Sequence, residues 1–110
     1  MKILLDECLP LDFRNYLSGD EREVHTVEFA GFKGLKNGHL LSEAESAGYD
    51  AMVTVDRSIQ KQQNILSRRI AIVVVRPSSN QLEDLIPLVD AIAKALEGLR
   101  HGEVVFVPSP

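Results

Sequence analysis

Asp50-Ala-Met-Val-Thr-Val-Asp56 is a short apolar, β-branched run bounded by carboxylates, the pattern of a buried strand whose carboxyl end opens into a polar turn. The chain begins with the same device: Lys2-Ile-Leu-Leu5 stops at Asp6-Glu7, and Pro10 closes the segment. Ile70 to Val75 is the most strongly apolar of these runs and reads as a central strand. Glu23 to Val27 alternates and reads as a strand nearer an edge, and Glu103 to Val107 reads as a last strand cut off by Pro108 and Pro110.

Helical spacing lies between these runs. Leu11, Phe13 and Leu17, with Tyr16 beside them, fit one short helix closed by Gly19. Asn37 is placed to cap a helix through Ala47 that carries Leu40, Leu41, Ala44 and Ala47 on one face and stops at Gly48. Asn80 with Glu83 opens a helix whose face runs from Leu82 to Leu96, its early part disturbed by Pro87. Phe29 to Gly38 reads as a loop, and Ser58 to Leu66 as a short polar helix or irregular turn. Alternating strands and helices predict an α/β domain with a mostly parallel sheet covered on both faces, because parallel strands need crossovers and crossovers supply helices.

Length and composition narrow the class. A chain of 110 residues, 45% apolar and 25% charged, is expected to form one domain over residues 1–110 rather than a disordered or disulfide-stapled one. No apolar run approaches a membrane span, and only three apolar residues separate Lys2 from Asp6, too few for an export signal. Cys8 is the single cysteine, which fits a reducing compartment and excludes a thiolate metal cage, so a cytoplasmic location is expected. The net charge of −4 argues against nonspecific coating of nucleic acid. That average hides an asymmetry: residues 1–56 carry a balance of −6, whereas residues 57–76 hold Arg57, Lys61, Arg68, Arg69 and Arg76 with no acid. A basic block beside an acidic segment reads either as a phosphate-facing wall or as a solvated loop and helix face.

Asp6 and Asp56 are the chemical candidates. In parallel sheets ligands bind outside the carboxyl ends of strands, where the strand order reverses. If the two strands are neighbours, the two carboxylates share one crevice and repel unless a cation or proton is shared. A hard divalent cation such as Mg²⁺ or Mn²⁺ accepts one or two carboxylates with water and substrate phosphate, a combination suited to phosphodiester hydrolysis. An aspartate at a strand end is also a common turn residue.

Four segments, Lys2 to Pro10, Gly34 to Leu41, Val53 to Arg57 with Gln62-Gln-Asn64, and Arg69 to Arg76, together make the chain resemble a small bacterial family of PIN-like domains. Members of that family are described mostly as uncharacterised or as toxin-type ribonucleases. The resemblance implies a three-layer α/β/α sandwich with the first strand central, and Asp6 and Asp56 as catalytic acids of a Mg²⁺- or Mn²⁺-binding crevice. It also implies RNA as substrate and a small antitoxin protein as partner; no membrane association is expected from the short apolar runs, and a homodimer is left open. Active PIN nucleases present three or four acids, one on an intermediate helix, whereas that helix here opens with Asn37, Gly38 and His39. Asn37, through its amide oxygen, and Glu43 are therefore the further metal-ligand candidates, with Glu45 on the same helix.

Arg57, Arg76, Lys61 and Asn64 are the substrate-binding candidates. Arg57 and Arg76, each directly after a strand, either hold phosphate or neutralise Asp6 and Asp56 as ion pairs. His39 is a further ligand or general-base candidate, whereas His25, His101 and Cys8 are assigned structural places. A phosphoacceptor receiver domain also places acids after the first strand and an aspartate after the third. The later strand ends, Arg76 and Pro108, lack the hydroxyl and lysine that such a site uses. The rival to a nuclease is a noncatalytic PIN-like module that binds a partner protein or RNA.

Overall fold

The computed structural model describes residues 1–59, 65 and 68–108, Asn37 through its backbone alone. Five strands, β1 (Lys2–Leu5), β2 (Glu23–Thr26), β3 (Ala51–Thr54), β4 (Ala71–Val75) and β5 (Val104–Val107), form one sheet in the order β2-β1-β3-β4-β5. Every neighbouring pair is parallel. β1, β3 and β4 are interior and apolar along nearly their whole length, as strands covered on both faces must be. β1 is interior as expected, although β3 occupies the middle of the sheet.

Side-chain alternation divides the core in two. Ile3, Leu5, Val53, Val73 and Val75 point to one face, where Phe13 and Leu17 of α1 (Phe13–Leu17) meet Leu85, Ile92 and Leu96. Leu4, Met52, Ile72 and Val74 point to the other, which packs on Val27 of α2 (Val27–Ala30) and on Leu40, Leu41 and Ala44 of α3 (Asn37–Ser46). Leu85 ends α4 (Leu82–Leu85), a 3-10 turn (Ile86–Leu88) follows, and Ile92 and Leu96 belong to α5 (Val89–Glu97). The chain is thus a three-layer α/β/α sandwich. No described helix is long and apolar enough to cross a membrane.

The connections are not all alike. The β1–β2 connection through α1 and the β4–β5 connection through α4 and α5 cover the same face, yet they advance in opposite directions across the sheet. They therefore have opposite hands. The β2–β3 connection, through α3 on the other face, shares the hand of the first, so the last crossover is the one that departs from the usual uniform handedness.

Several boundaries differ from the sequence reading for local reasons. The second strand ends at Thr26, because the Thr26 hydroxyl accepts from Phe29 N at 3.0 Å and caps α2, a turn of helix where a loop was expected. Lys36, not Asn37, is the N-cap of α3. Ala47 is exposed rather than on the packed face, and the helix closes at Gly48 with φ +87°, where Tyr49 N reaches Ala44 O and Gly48 N reaches Glu45 O. The helix expected to open at Asn80 begins at Leu82; Asn80 instead donates to Cys8 O at 3.3 Å, and Pro87 sits in the 3-10 turn separating α4 from α5. The segment expected at Ser58 to Leu66 lies mostly outside the described residues.

Candidate functional site

The β1/β3 register, Leu5 opposite Val53, carries on past the strand ends and sets Asp6 beside Thr54. Asp6 N still donates to Val53 O at 3.0 Å, so the ladder itself fixes the aspartate. Strand order reverses between β1 and β3, because the chain moves outward to β2 on one side and to β4 and β5 on the other. Asp6 and Asp56 thus flank the position where α/β sheets hold ligands.

Thr54 organises the pair. It is fully buried, the one buried polar residue among those described. Its hydroxyl donates to Asp6 Oδ2 at 2.6 Å and accepts from Asp56 N at 3.0 Å. Asp6 Oδ1 accepts from Glu7 N at 2.9 Å. Asp56 Oδ1 accepts from Ser58 N at 2.9 Å and Ser58 Oγ at 2.6 Å, a turn closed by its own side chain. No described residue donates to Asp56 Oδ2. Both carboxylates are half-buried. Cys8 Sγ lies 3.7 Å from Thr54 Oγ1, packed against the core as a small hydrophobe; burial pushes its thiol pKa up, and the nearby Asp6 charge adds to that.

The arginines do not neutralise this pair. Ion pairs among the described residues are His25 with Glu23, His39 with Glu43 and Arg68 with Glu45, so the alternative in which Arg57 and Arg76 lock Asp6 and Asp56 is not realised. Arg57 is exposed. Arg76 follows β4, its backbone N bonded to Val107 O at 2.7 Å, and its Nε is buried with no hydrogen-bond partner. A buried donor left without an acceptor is costly.

The intermediate helix contributes no carboxylate to the pair. Glu43 is exposed and lies 3.5 Å from His39 one turn earlier. Glu45 binds Arg68 Nη1 at 2.6 Å and Arg69 N at 2.7 Å, tying α3 to the entry of β4. Burial raises the Glu45 carboxyl pKa, but the Arg69 and Ile70 amides and the Arg68 guanidinium outweigh it and leave it below the ordinary value. Asn37 opens α3, while Lys61 and Asn64, with Gln62 and Gln63, lie outside the described residues. His25 is bonded to the Tyr49 hydroxyl at 2.7 Å, a structural place, and His101 is exposed.

No group of three or more histidine, cysteine, aspartate or glutamate side chains among the described residues is arranged to hold a metal. Two carboxylates with one unbonded oxygen fit a single hard cation completed by water and phosphate, and fall short of a two-metal centre. Thr54 was not singled out from sequence; its only signal was a hydroxyl set inside the apolar Val53-Thr-Val55. Compared with protein-family models, with curated proteins and with solved structures, the chain matches none.

Proposed function

We propose that this chain is a Mg²⁺- or Mn²⁺-dependent ribonuclease of the PIN-like type, in which Asp6 and Asp56 hold one cation. The observation that carries the reading is the linkage of both aspartates through the Thr54 hydroxyl at the β1/β3 reversal point, with no cationic side chain among the described residues neutralising either. Such a cation, when bound, polarises the phosphoryl group and lowers the pKa of water. The chain's own residues do the rest. Thr54 fixes the Asp6 carboxylate, and Ser58 holds Asp56 by Oδ1 alone, leaving Oδ2 to ligate. Arg57 at the exposed rim and the half-buried Arg76, each directly after a strand, bind phosphate from the β3–β4 side. A role as the toxin of a pair with a small antitoxin rests on the family resemblance alone.

A second reading is a noncatalytic PIN-like module that binds RNA or a protein, favoured by the lack of a third acid beside the pair among the described residues. The two readings separate on metal dependence. The nuclease reading expects Mn²⁺ to raise the melting temperature of the wild type, and Asp6→Asn and Asp56→Asn to abolish both that shift and RNA cleavage while remaining folded. RNA left uncut with either metal, together with Asn variants that behave like the wild type, leaves the binding module.

A further inference from the structure

On the β2 side of Asp6 a pocket of about 300 Å³ opens at the carboxyl ends of β1 and β2. We infer that it receives a guanine base of the RNA strand, next to the crevice of Asp6 and Asp56; the RNA in this statement rests on the ribonuclease reading, the pocket does not. The volume is at the small end of ligand sites and suits one nucleoside. Leu9, Pro10, Leu11 and Val27 supply apolar wall, and Leu11 is left 57% exposed at the rim, available to a flat ring.

Charge decides which part of a nucleotide enters. Asp6, Glu7 and Glu28 line the pocket against the single cation of Lys33, so a phosphate is repelled there and is directed to Arg57 and Arg76 across the sheet. Hydrogen-bond accounting decides which base. The Thr26 hydroxyl already accepts from Phe29 N and keeps its O–H to donate, which suits a carbonyl such as guanine O6, and Asp6 already accepts at both oxygens. Glu7 and Glu28 are exposed and enter no ion pair among the described residues. An ionised carboxylate only accepts, and its two oxygens match two N–H donors side by side. Guanine alone of the four RNA bases presents that edge, through N1–H and the 2-amino group. Adenine and cytosine place a donor beside an acceptor, and uracil sets one donor between two acceptors.

The test uses uncharged nucleosides and no metal, titrated into the full chain and followed by amide chemical shifts. Guanosine is expected to bind saturably with shifts at Leu9 and Val27, inosine, lacking the 2-amino group, about tenfold more weakly, and adenosine without saturation. Glu7→Gln or Glu28→Gln is expected to weaken guanosine binding by about tenfold at an unchanged melting temperature, while Asp56→Asn leaves it unchanged. Absence of saturable guanosine binding, equal binding of adenosine, or wild-type affinity in both glutamine variants overturns the inference. Mn²⁺-dependent RNA cleavage without guanosine binding overturns the pocket and spares the nuclease; guanosine binding without cleavage does the reverse.

Discussion

Replacing Thr54 by valine removes one oxygen from a site with no water access while keeping the shape of the side chain. Two hydrogen bonds go with it, the one donated to Asp6 at 2.6 Å and the one accepted from Asp56 N at 3.0 Å. A bond to a charged group contributes about 1.5–3 kcal/mol, and an amide left unpaired out of water costs about 1–3 kcal/mol. Asp6 is only half-buried, so water replaces part of the first loss, and the added methyl offsets about 1 kcal/mol. The net destabilisation is therefore about 2–3 kcal/mol, a fall in melting temperature of about 8–12 °C for a domain of this size. Thr54→Ser keeps the hydroxyl and loses one buried methyl, at about 1 kcal/mol. Urea unfolding followed by circular dichroism at neutral pH measures both variants. A Thr54→Val protein within about 0.5 kcal/mol of the wild type, or a serine variant less stable than the valine one, refutes the assignment of Thr54 as the tie between the strand ends.

Glu45 gives a pH-dependent counterpart. Its carboxyl pKa is lowered in the fold, so the stability it contributes is present above the ordinary carboxyl value of about 4.5 and is lost as the pH falls through the folded value. Glu45→Gln is expected to cost about 1 kcal/mol at pH 7, with the gap to the wild type closing on acidification in a pH series of urea midpoints; a gap constant with pH contradicts the pairing. Cys8, its thiol pKa raised by burial and by Asp6, is expected to react with iodoacetamide at pH 8 more slowly than a free cysteine. Asp6→Asn should accelerate that reaction, and an unchanged rate would separate the thiol from the carboxylate.

Strand positions were legible in the sequence because interior parallel strands are apolar along their length, and Lys2 to Leu5, Asp50 to Val55 and Ile70 to Val75 carry that signal whatever their neighbours. The adjacency of the first and third strands, the condition on which the shared crevice of their aspartates depended, is the observed β1/β3 pairing. Helix boundaries were less legible. The Thr26 hydroxyl turns the chain into α2 through a bond between near neighbours, and Asn80 is drawn away from capping by Cys8 O, a partner seventy-two residues distant that no local pattern announces. The role of Thr54 was hidden for the same reason: a threonine in a strand is ordinary, and only the register with β1 sets its hydroxyl between the Asp6 carboxylate and the Asp56 amide. Glu45 read as a metal-ligand candidate beside Glu43, because nothing local shows its bonds to Arg68 and Arg69, more than twenty residues further along the chain.

The reversed hand of the final crossover has a consequence for how labour is divided along the chain. Asp6, Thr54, Asp56 and Arg76 all precede Pro77, whereas α4 and α5 lie beneath Val73 and Val75 on the face shared with α1 and bring no side chain to the carboxylate pair. The last third is a buttress: its composition sets how firmly the sheet is propped, and drift within it that preserves apolar spacing changes robustness while the chemistry stays where the first two thirds put it.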